Sequence, residues 1–582
     1  MKLGAIAVDY DGTIASQGTM PAEMRAAIGA ARDAGIAMVL ATGRRLDDLK
    51  RVAGDLACFD VVVAENGAVV DFPSRGRHVV LGPAPPVAVV DELRRRGVAI
   101  EVGEALVEAS ADMAGTIIEV IHALQQPLVL TFNRGRVMVL PQAVGKSTGL
   151  RVALTTLRLS LHNTVAIGDA ENDHDMLDVC EVGVAVGWGS PALLSVADHV
   201  IQGTGPAAVA EYIRDLARRG SLTASQMGRR RIVLGRQHDG EIVSLAVRGR
   251  PVIIAGEPGS GKSWLAGLMC EQLILQGYSL CIIDPEGDYA SLEALPGVVL
   301  LGGEDPPPRS RELVRALRYA DVSVVIDLSR VRHREKLQYL ETVMDLLLRL
   351  RRQSGLPHRI VVDEAHYLLT GPTRRALTAE DLDGQTLITY RASTLADALP
   401  LPEDTVVLVT KETDAHELQS LRGFCRGSTT PVLPTLFNDL RANEAAILPG
   451  AEEARGGVRR FQIAPRLTTH VRHRTKYLDM PVADKQAFVF SSDAGPLARA
   501  HTLREFAGLI TALPVRVVEG HLHRHDVSRW IGDVFKDGPL AARVRGLETG
   551  IESEPAAALA ASISQTIRAR YERIPSSISE VA

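Results

Sequence analysis

The chain reads as α/β over most of its length, with a smaller, mainly helical region at its C-terminus. Three observations predict this. Short apolar, β-branched runs alternate with helical patterns, the rhythm of parallel strands joined by crossover helices. Two of these runs lead directly into phosphate-handling motifs, Asp9-Tyr10-Asp11-Gly12-Thr13 and Gly256-Glu257-Pro258-Gly259-Ser260-Gly261-Lys262-Ser263. A length of 582 residues with 46% hydrophobic residues is the composition of several packed cores, not of a disordered chain.

The first run, Ala5 to Val8, delivers acidic residues at its C-terminal end, as a buried parallel strand does. Pro21 to Ala34 is predicted helical, with Pro at its start and Gly35 at its stop. Strands follow at Ala37 to Leu40, ending in Thr42-Gly43-Arg44, and at Val61 to Val63, ending in Glu65-Asn66-Gly67. From about 72 to 140 the pattern changes to a small inserted α/β unit, a cap. The main rhythm resumes with a helix after Lys146 and a strand, Thr164 to Ile167, that ends in Gly168-Asp169. A first domain is therefore expected over 1–217. The basic runs Arg218-Arg219 and Arg229-Arg230-Arg231 read as a solvated linker. A second α/β domain is expected over 228–455, with strands at Val252 to Ala255, Leu280 to Ile283, Ser323 to Ile326, Arg359 to Val362 and Val406 to Val409. Residues 456–582 form the third region.

A net charge of −5 supplies no whole-chain attraction for nucleic acid or an anionic membrane. The cysteines, Cys58, Cys180, Cys270, Cys281 and Cys425, show no zinc or disulfide spacing, which fits a reducing cytoplasm. No apolar run has the length of a membrane span, and no leader is expected before the first strand.

Phosphoryl transfer needs a nucleophile, a cation to neutralise phosphate oxygens and an acid/base for the leaving group. Asp9 and Asp11 lie two apart past a strand, and Gly12 permits the turn that aims both at one pocket. Asp9 is the candidate nucleophile, forming an aspartyl-phosphate, and Asp11 the candidate general acid and then base. Thr42 offers a hydroxyl and an amide to the phosphoryl oxygens, and Lys146 a positive charge. Asp9, Asp11, Asp169 and Asp173 make an oxygen-rich set suited to Mg²⁺. Arg44 is placed to meet the substrate or the cap.

In order and spacing, DYDGT, ATGR, Lys146 and GDAENDHDM resemble the motifs of the haloacid dehalogenase superfamily, and Glu65-Asn66-Gly67-Ala68 with Asn172 resembles its Cof-like branch. That resemblance implies a Rossmann-like domain with an α/β cap between the second and third motifs. It also implies a Mg²⁺-dependent phosphomonoester hydrolase acting on a small phosphorylated metabolite. The small cap is similar to those of archaeal-type phosphoglycolate and sugar-phosphate phosphatases.

Gly256 to Ser263 matches GxxxxGK[ST] between an apolar strand and a helical segment, Trp264 to Gln276. Its amides suit the phosphates of ATP, Lys262 the β- and γ-phosphates, and Ser263 a Mg²⁺ ion. The strand Ile360 to Val362 ends in Asp363-Glu364-Ala365-His366, giving Asp363 for the metal shell and Glu364 as the base that polarises water. With Ile283 to Tyr289, these motifs resemble the HerA/FtsK-type P-loop ATPases. Members are mostly hexameric DNA translocases, which implies a homo-oligomer and, as the alternative function, a DNA or RNA translocase with an end-processing phosphatase. The chain departs from that pattern at Leu387 to Arg391, where a glutamine is expected, so nucleic acid is the less favoured partner. Arg391 and Arg422 are candidate arginine fingers.

In the last region, His470 to His473 and His521 to His525 lack acidic or Cys partners at ligand spacing and read as solvated or hydrogen-bonded histidines. Trp530 and Phe535 read as core, and an interaction or regulatory role is expected there.

Overall fold

The computed structural model describes residues 1–222, 228–247, 249–366, 377–424, 437–441, 443–448, 457–468, 478, 482, 484–492, 495–535 and 537–571. Two compact units result. One comprises Met1–Pro285, Tyr289–Arg330 and Glu335–Thr469, and the other Glu286–Asp288, Val331–Arg334 and His470–Ala582.

The first unit holds two large sheets. The N-terminal one runs in the order His199–Ile201, Val182–Val186, Thr164–Gly168, Ala5–Asp9, Ala37–Ala41, Val61–Ala64, Val69–Phe72, Arg77–Val80. It is parallel through Val61–Ala64 and antiparallel at the last two strands. Burial of all five residues of Ala5–Asp9 explains its continuous apolar sequence. Helix Ala22–Asp33 buries Met24, Ala27, Ile28 and Ala31 as one stripe, and Glu23 and Arg32 complement its dipole ends. The cap begins later than the expected 72. Residues 69–80 extend the core sheet, and the cap's own elements run from helix Val87–Arg95 to strand Arg136–Pro141. Two helices, Val87–Arg95 and Ala114–Ala123, cover an antiparallel sheet ordered Ile100–Val102, Val107–Ser110, Arg136–Pro141, Leu128–Asn133. Val89, Leu93, Ile117, Val120, Val137 and Val139 fill the space between.

The second sheet is ordered Ile242–Ala246, Arg231–Arg236, Arg459–Ile463, Glu444–Ile447, Val406–Val409, Val252–Ala255, Gln385–Thr389, Arg359–Val362, Leu280–Asp284, Ser323–Asp327, Val298–Gly302. From Val406–Val409 to Val298–Gly302 it is parallel. The sheet draws in Arg459–Ile463, beyond the boundary expected at 455, because this strand pairs on both sides, with Glu444–Ile447 and Arg231–Arg236.

A polar joint links the two sheets' domains. The His162 ring stacks on Tyr278 at 3.7 Å, and the Tyr278 hydroxyl donates to Glu181 Oε2 at 2.8 Å. His162 Nδ1 lies 2.9 Å from the same oxygen, and its Nε2 lies 2.9 Å from the Gln276 carbonyl. Burial and the Glu181 charge hold the Tyr278 phenol above its ordinary pKa, so it stays a donor. Arg229 and Arg230 are not solvated linker residues. Both donate to the Cys180 carbonyl, and they also reach those of Leu177 and Asp178, capping the C-terminal end of helix His174–Val179.

The second unit packs hairpin Phe488–Ser492/Gly495–Ala500 against helices Leu503–Ala512, Val515–His523, Asp526–Val534, Gly538–Glu548 and Ala556–Tyr571. Trp530 and Phe535 lie in its core, their rings 4.9 Å apart. His521 is hydrogen-bonded: its Nε2 accepts from the Ser491 amide at 3.2 Å, and its Nδ1 lies 2.8 Å from Asp526. His470 to His473 lie outside the described residues.

Candidate active sites

The N-terminal sheet brings the acidic motif residues to one edge because all its central strands point the same way, so their C-terminal ends share a face. Asp9 ends the strand Ala5–Asp9, Thr42 follows Ala37–Ala41, and Asp169 follows Thr164–Gly168. Lys146 opens helix Lys146–Leu157 and is fully buried. Its Nζ donates to Asp9 Oδ1 and to Asp173 Oδ1, each at 2.6 Å. Burial pushes the Asp9 carboxyl up to about 7 against the pull of Lys146. Burial alone would lower Lys146, yet Asp173 and Asp9 hold it above the ordinary lysine range.

Asp9, Asp169 and Asp173 each bring a carboxylate oxygen within 4.8 Å of the others. An all-oxygen acidic set of this kind fits Mg²⁺. Within it the roles differ. Asp173 Oδ2 accepts from the amides of Asp169 and Ala170, at 2.9 and 3.0 Å, while its Oδ1 takes Lys146, so Asp173 orients the loop and the lysine. The Asp11 carboxylate stands outside the cluster. Arg44 clasps it through both oxygens, at 2.6 and 2.8 Å, and reaches Asp48 at 2.6 Å. Arg44 thus pairs with core acids and not with the cap. Thr42 Oγ1 accepts from the Arg44 amide at 3.1 Å.

The pocket above these groups, about 920 Å³, includes residues that spacing did not single out. Trp188 donates its indole N–H to the Gly12 carbonyl at 2.7 Å, fixing the turn between Asp11 and Thr13. Arg134, at the tip of the cap hairpin, reaches Asp169. A lone Trp and a lone Arg far from the motifs carry no periodic or spacing signal. Glu65 was visible only as part of its motif. Its buried carboxylate accepts from the amides of Glu104 and Ala105, each at 3.0 Å, tying the cap to the core.

In the second sheet the loop 256–263 follows Val252–Ala255 and opens helix Lys262–Leu275, with Gly256, Gly259 and Gly261 at positive φ. Lys262 Nζ donates to the Gly256 and Glu257 carbonyls at 2.9 and 3.0 Å, folded over the loop. Ser260 Oγ and Thr410 Oγ1 lie 2.6 Å apart, and Thr413 Oγ1 donates to Glu257 at 2.8 Å, so the segment after Val406–Val409 braces the loop. Pro258 lies in the loop's turn, and Ser263 is the second residue of helix Lys262–Leu275. Asp363 and Glu364 follow Arg359–Val362, one strand removed from Val252–Ala255 across Gln385–Thr389. Asp363 is buried, and Glu364 holds φ 49° with its amide donating to Asp363 Oδ1 at 2.9 Å. Arg391 stacks on Tyr390, 5.2 Å from the ring centre, while the Arg422 side chain lies outside what is described.

A family model for haloacid dehalogenase-like hydrolases matches residues 6–80 and 101–213. Over 206 residues the chain is 30% identical to a phosphoglycolate phosphatase of Archaeoglobus fulgidus, covering 34% of this chain and 90% of that protein. The chain belongs to the haloacid dehalogenase-like hydrolases. A phosphoglycolate phosphatase of Methanothermobacter thermautotrophicus aligns with this hydrolase at 28% identity over 218 residues, 36% of this chain and 97% of that protein. A solved haloacid dehalogenase-like hydrolase from Bacteroides thetaiotaomicron is 20% identical, covers 37% of this chain and all of its own (100%), and superposes with a TM-score of 0.33. A second family model, for the central domain of the helicase HerA, matches residues 247–405. The hydrolase is thus an enzyme fused to a HerA-type domain. Among the described residues no helix is long and apolar enough to cross a membrane.

Proposed function

We propose that the N-terminal module, about residues 1–217, is a Mg²⁺-dependent phosphatase of small phosphomonoesters, with phosphoglycolate or a sugar phosphate as substrate. The observation that carries this reading is the buried Lys146 bridging Asp9 and Asp173 beside Asp169. In this mechanism Asp9 attacks phosphorus and forms an aspartyl-phosphate while Asp11 protonates the leaving oxygen. Asp11 then takes the proton of the water that hydrolyses the acyl phosphate. To serve as that acid, Asp11 must be released by Arg44. Lys146 opposes the effect of burial on Asp9, favouring its carboxylate, and offsets charge on the phosphoryl group, and the Thr42 hydroxyl and amide hold its oxygens. Asp9 and Asp169, with Asp173 behind them, would hold Mg²⁺, which supplies neutralisation of the phosphate oxygens.

The second module, about residues 228–455 with the added strand, is proposed to bind and hydrolyse ATP. Gly256 to Ser263 would cradle the phosphates, with Lys262 on the β- and γ-phosphates. Ser263 and Asp363 would hold Mg²⁺, and Glu364 would polarise water.

The deciding experiment is phosphate release from a panel of small phosphomonoesters, with Mg²⁺ or with chelator. Asp9→Asn is expected to lower kcat by on the order of 10³-fold or more while leaving the thermal transition intact. Activity that survives the substitution rules out the aspartyl-phosphate route. In parallel, Lys262→Ala should abolish ATP binding in calorimetry without altering phosphatase kcat. The HerA match favours a second reading, a nucleic-acid translocase. ATPase activity stimulated by DNA, from a ring in solution, would support it, and a DNA-indifferent monomer would exclude it.

A further inference from the structure

The hydrolase pocket contains one arginine whose present partner is claimed by another ligand. Among the described residues, the cations lining this pocket are Arg44 and Arg134, and the acidic set beside it holds the buried Lys146. Lys146 is committed to Asp9 and Asp173, and Arg44 is shared between Asp11 and Asp48, so it keeps Asp48 when Asp11 turns to the substrate. Arg134 differs. It comes from the cap, at the turn joining Leu128–Asn133 to Arg136–Pro141, with φ 52°. Its guanidinium pairs with Asp169, and its amide lies 3.5 Å from the exposed carboxylate of Glu171. The side chain remains 57% exposed and lines the pocket. It also crowds Gly12, where a Cβ would collide with the guanidinium.

Asp169 is one of the acids that fit Mg²⁺, and a carboxylate within a divalent cation's shell has little charge left for a guanidinium. With the metal bound, Arg134, carried by the cap hairpin, would lose that partner while still lining the pocket. With Lys146, Thr42 and the metal assigned to the phosphoryl end in the proposed mechanism, the charge from the cap is left for the leaving group. A planar guanidinium in that place matches a carboxylate through paired N–H donors.

We propose that Arg134 recognises a carboxylate on the leaving group, so that the substrates are short phosphorylated hydroxy acids and not neutral sugar phosphates. This rests on the phosphatase reading above. It is tested on the full chain with 2-phosphoglycolate and ethyl phosphate, which match in size and differ in the carboxylate. Arg134→Ala is expected to lower kcat/KM for phosphoglycolate by on the order of 10- to 100-fold, mostly through KM, and to leave ethyl phosphate within about threefold. Arg134→Lys should recover part of the loss. In the Asp9→Asn protein with Mg²⁺, calorimetric binding of phosphoglycolate should weaken by a similar factor on adding Arg134→Ala.

Equal losses on both substrates would overturn the proposal, since they mean Arg134 acts through Asp169 on every phosphoester. So would unchanged kinetics on both, or a wild-type enzyme that hydrolyses glucose 6-phosphate as well as phosphoglycolate. The parent reading fails by a separate result, wild-type protein that releases phosphate from no ester, and the proposal then falls with it.

Discussion

Lys146→Met is expected to abolish phosphatase activity and to destabilise the hydrolase module by about 3–5 kcal/mol, the cost of stranding a buried charge. The lysine is fully buried between Asp9 and Asp173, so the variant leaves two carboxylates facing each other with no cation. Met fills much of the same volume, which makes charge and not cavity the cause. Adding Asp9→Asn should return a large part of the stability and none of the activity, a coupling that a double-mutant cycle by denaturant melts would measure. The pH dependence has a definite sign. The Asp9 carboxyl rises from 3.8 to about 7 on folding, so the folded state binds the extra proton between those values. In chelator, stability therefore falls as pH rises through that window and levels off above it. Without Lys146 the fall should extend to higher pH, and Asp9→Asn should flatten it in either background. A Lys146→Met protein as stable as wild type at neutral pH would contradict the electrostatic account.

Gly67→Ala is expected to cost about 2–4 kcal/mol and to lower kcat sharply, although residue 67 touches no proposed ligand. Gly67 holds φ 102°, and a Cβ there would lie 1.8 Å from the Gly145 carbonyl oxygen. Gly145 precedes Lys146 at the start of its helix, so relief of the collision moves the lysine away from Asp9. Gly97→Ala separates the two causes. Gly97 also has positive φ, 75°, with open space around the added carbon, so it pays only backbone strain of about 1 kcal/mol. If both substitutions lower stability equally and leave kcat unchanged, the close approach has no part in positioning Lys146.

The parallel strands were legible because burial on both faces demands continuous apolar runs, and Val252–Ala255 and Arg359–Val362 fall where those runs predict. Apart from Lys146, which opens a helix, the motif residues were legible because each lies at the end of such a strand or just after it. What sequence could not supply was pairing between distant segments. Residues 72–80 read as cap, yet their partners are in the core sheet, a choice made by edge pairing and not by local pattern. Arg459–Ile463 likewise takes its place from strands far away in the chain. Within the site, Asp11 and Asp169 announce themselves through spacing, but the arginines that hold them do not. Arg44 stood beside a motif with its partner undetermined, and Arg134 reaches its acid only because the cap folds over the pocket.

The joint between the hydrolase and the HerA-type domain bears on how this protein behaves when cut. His162, Glu181 and Tyr278 are buried together, and Arg229 and Arg230 grip carbonyls of the hydrolase from beyond residue 222. A protease acting between residues 222 and 228 severs the chain but none of these contacts. The fragments are expected to stay associated, so that a nicked preparation elutes as one species while showing two bands once denatured. Size in native solution therefore says nothing about whether the covalent connection is intact.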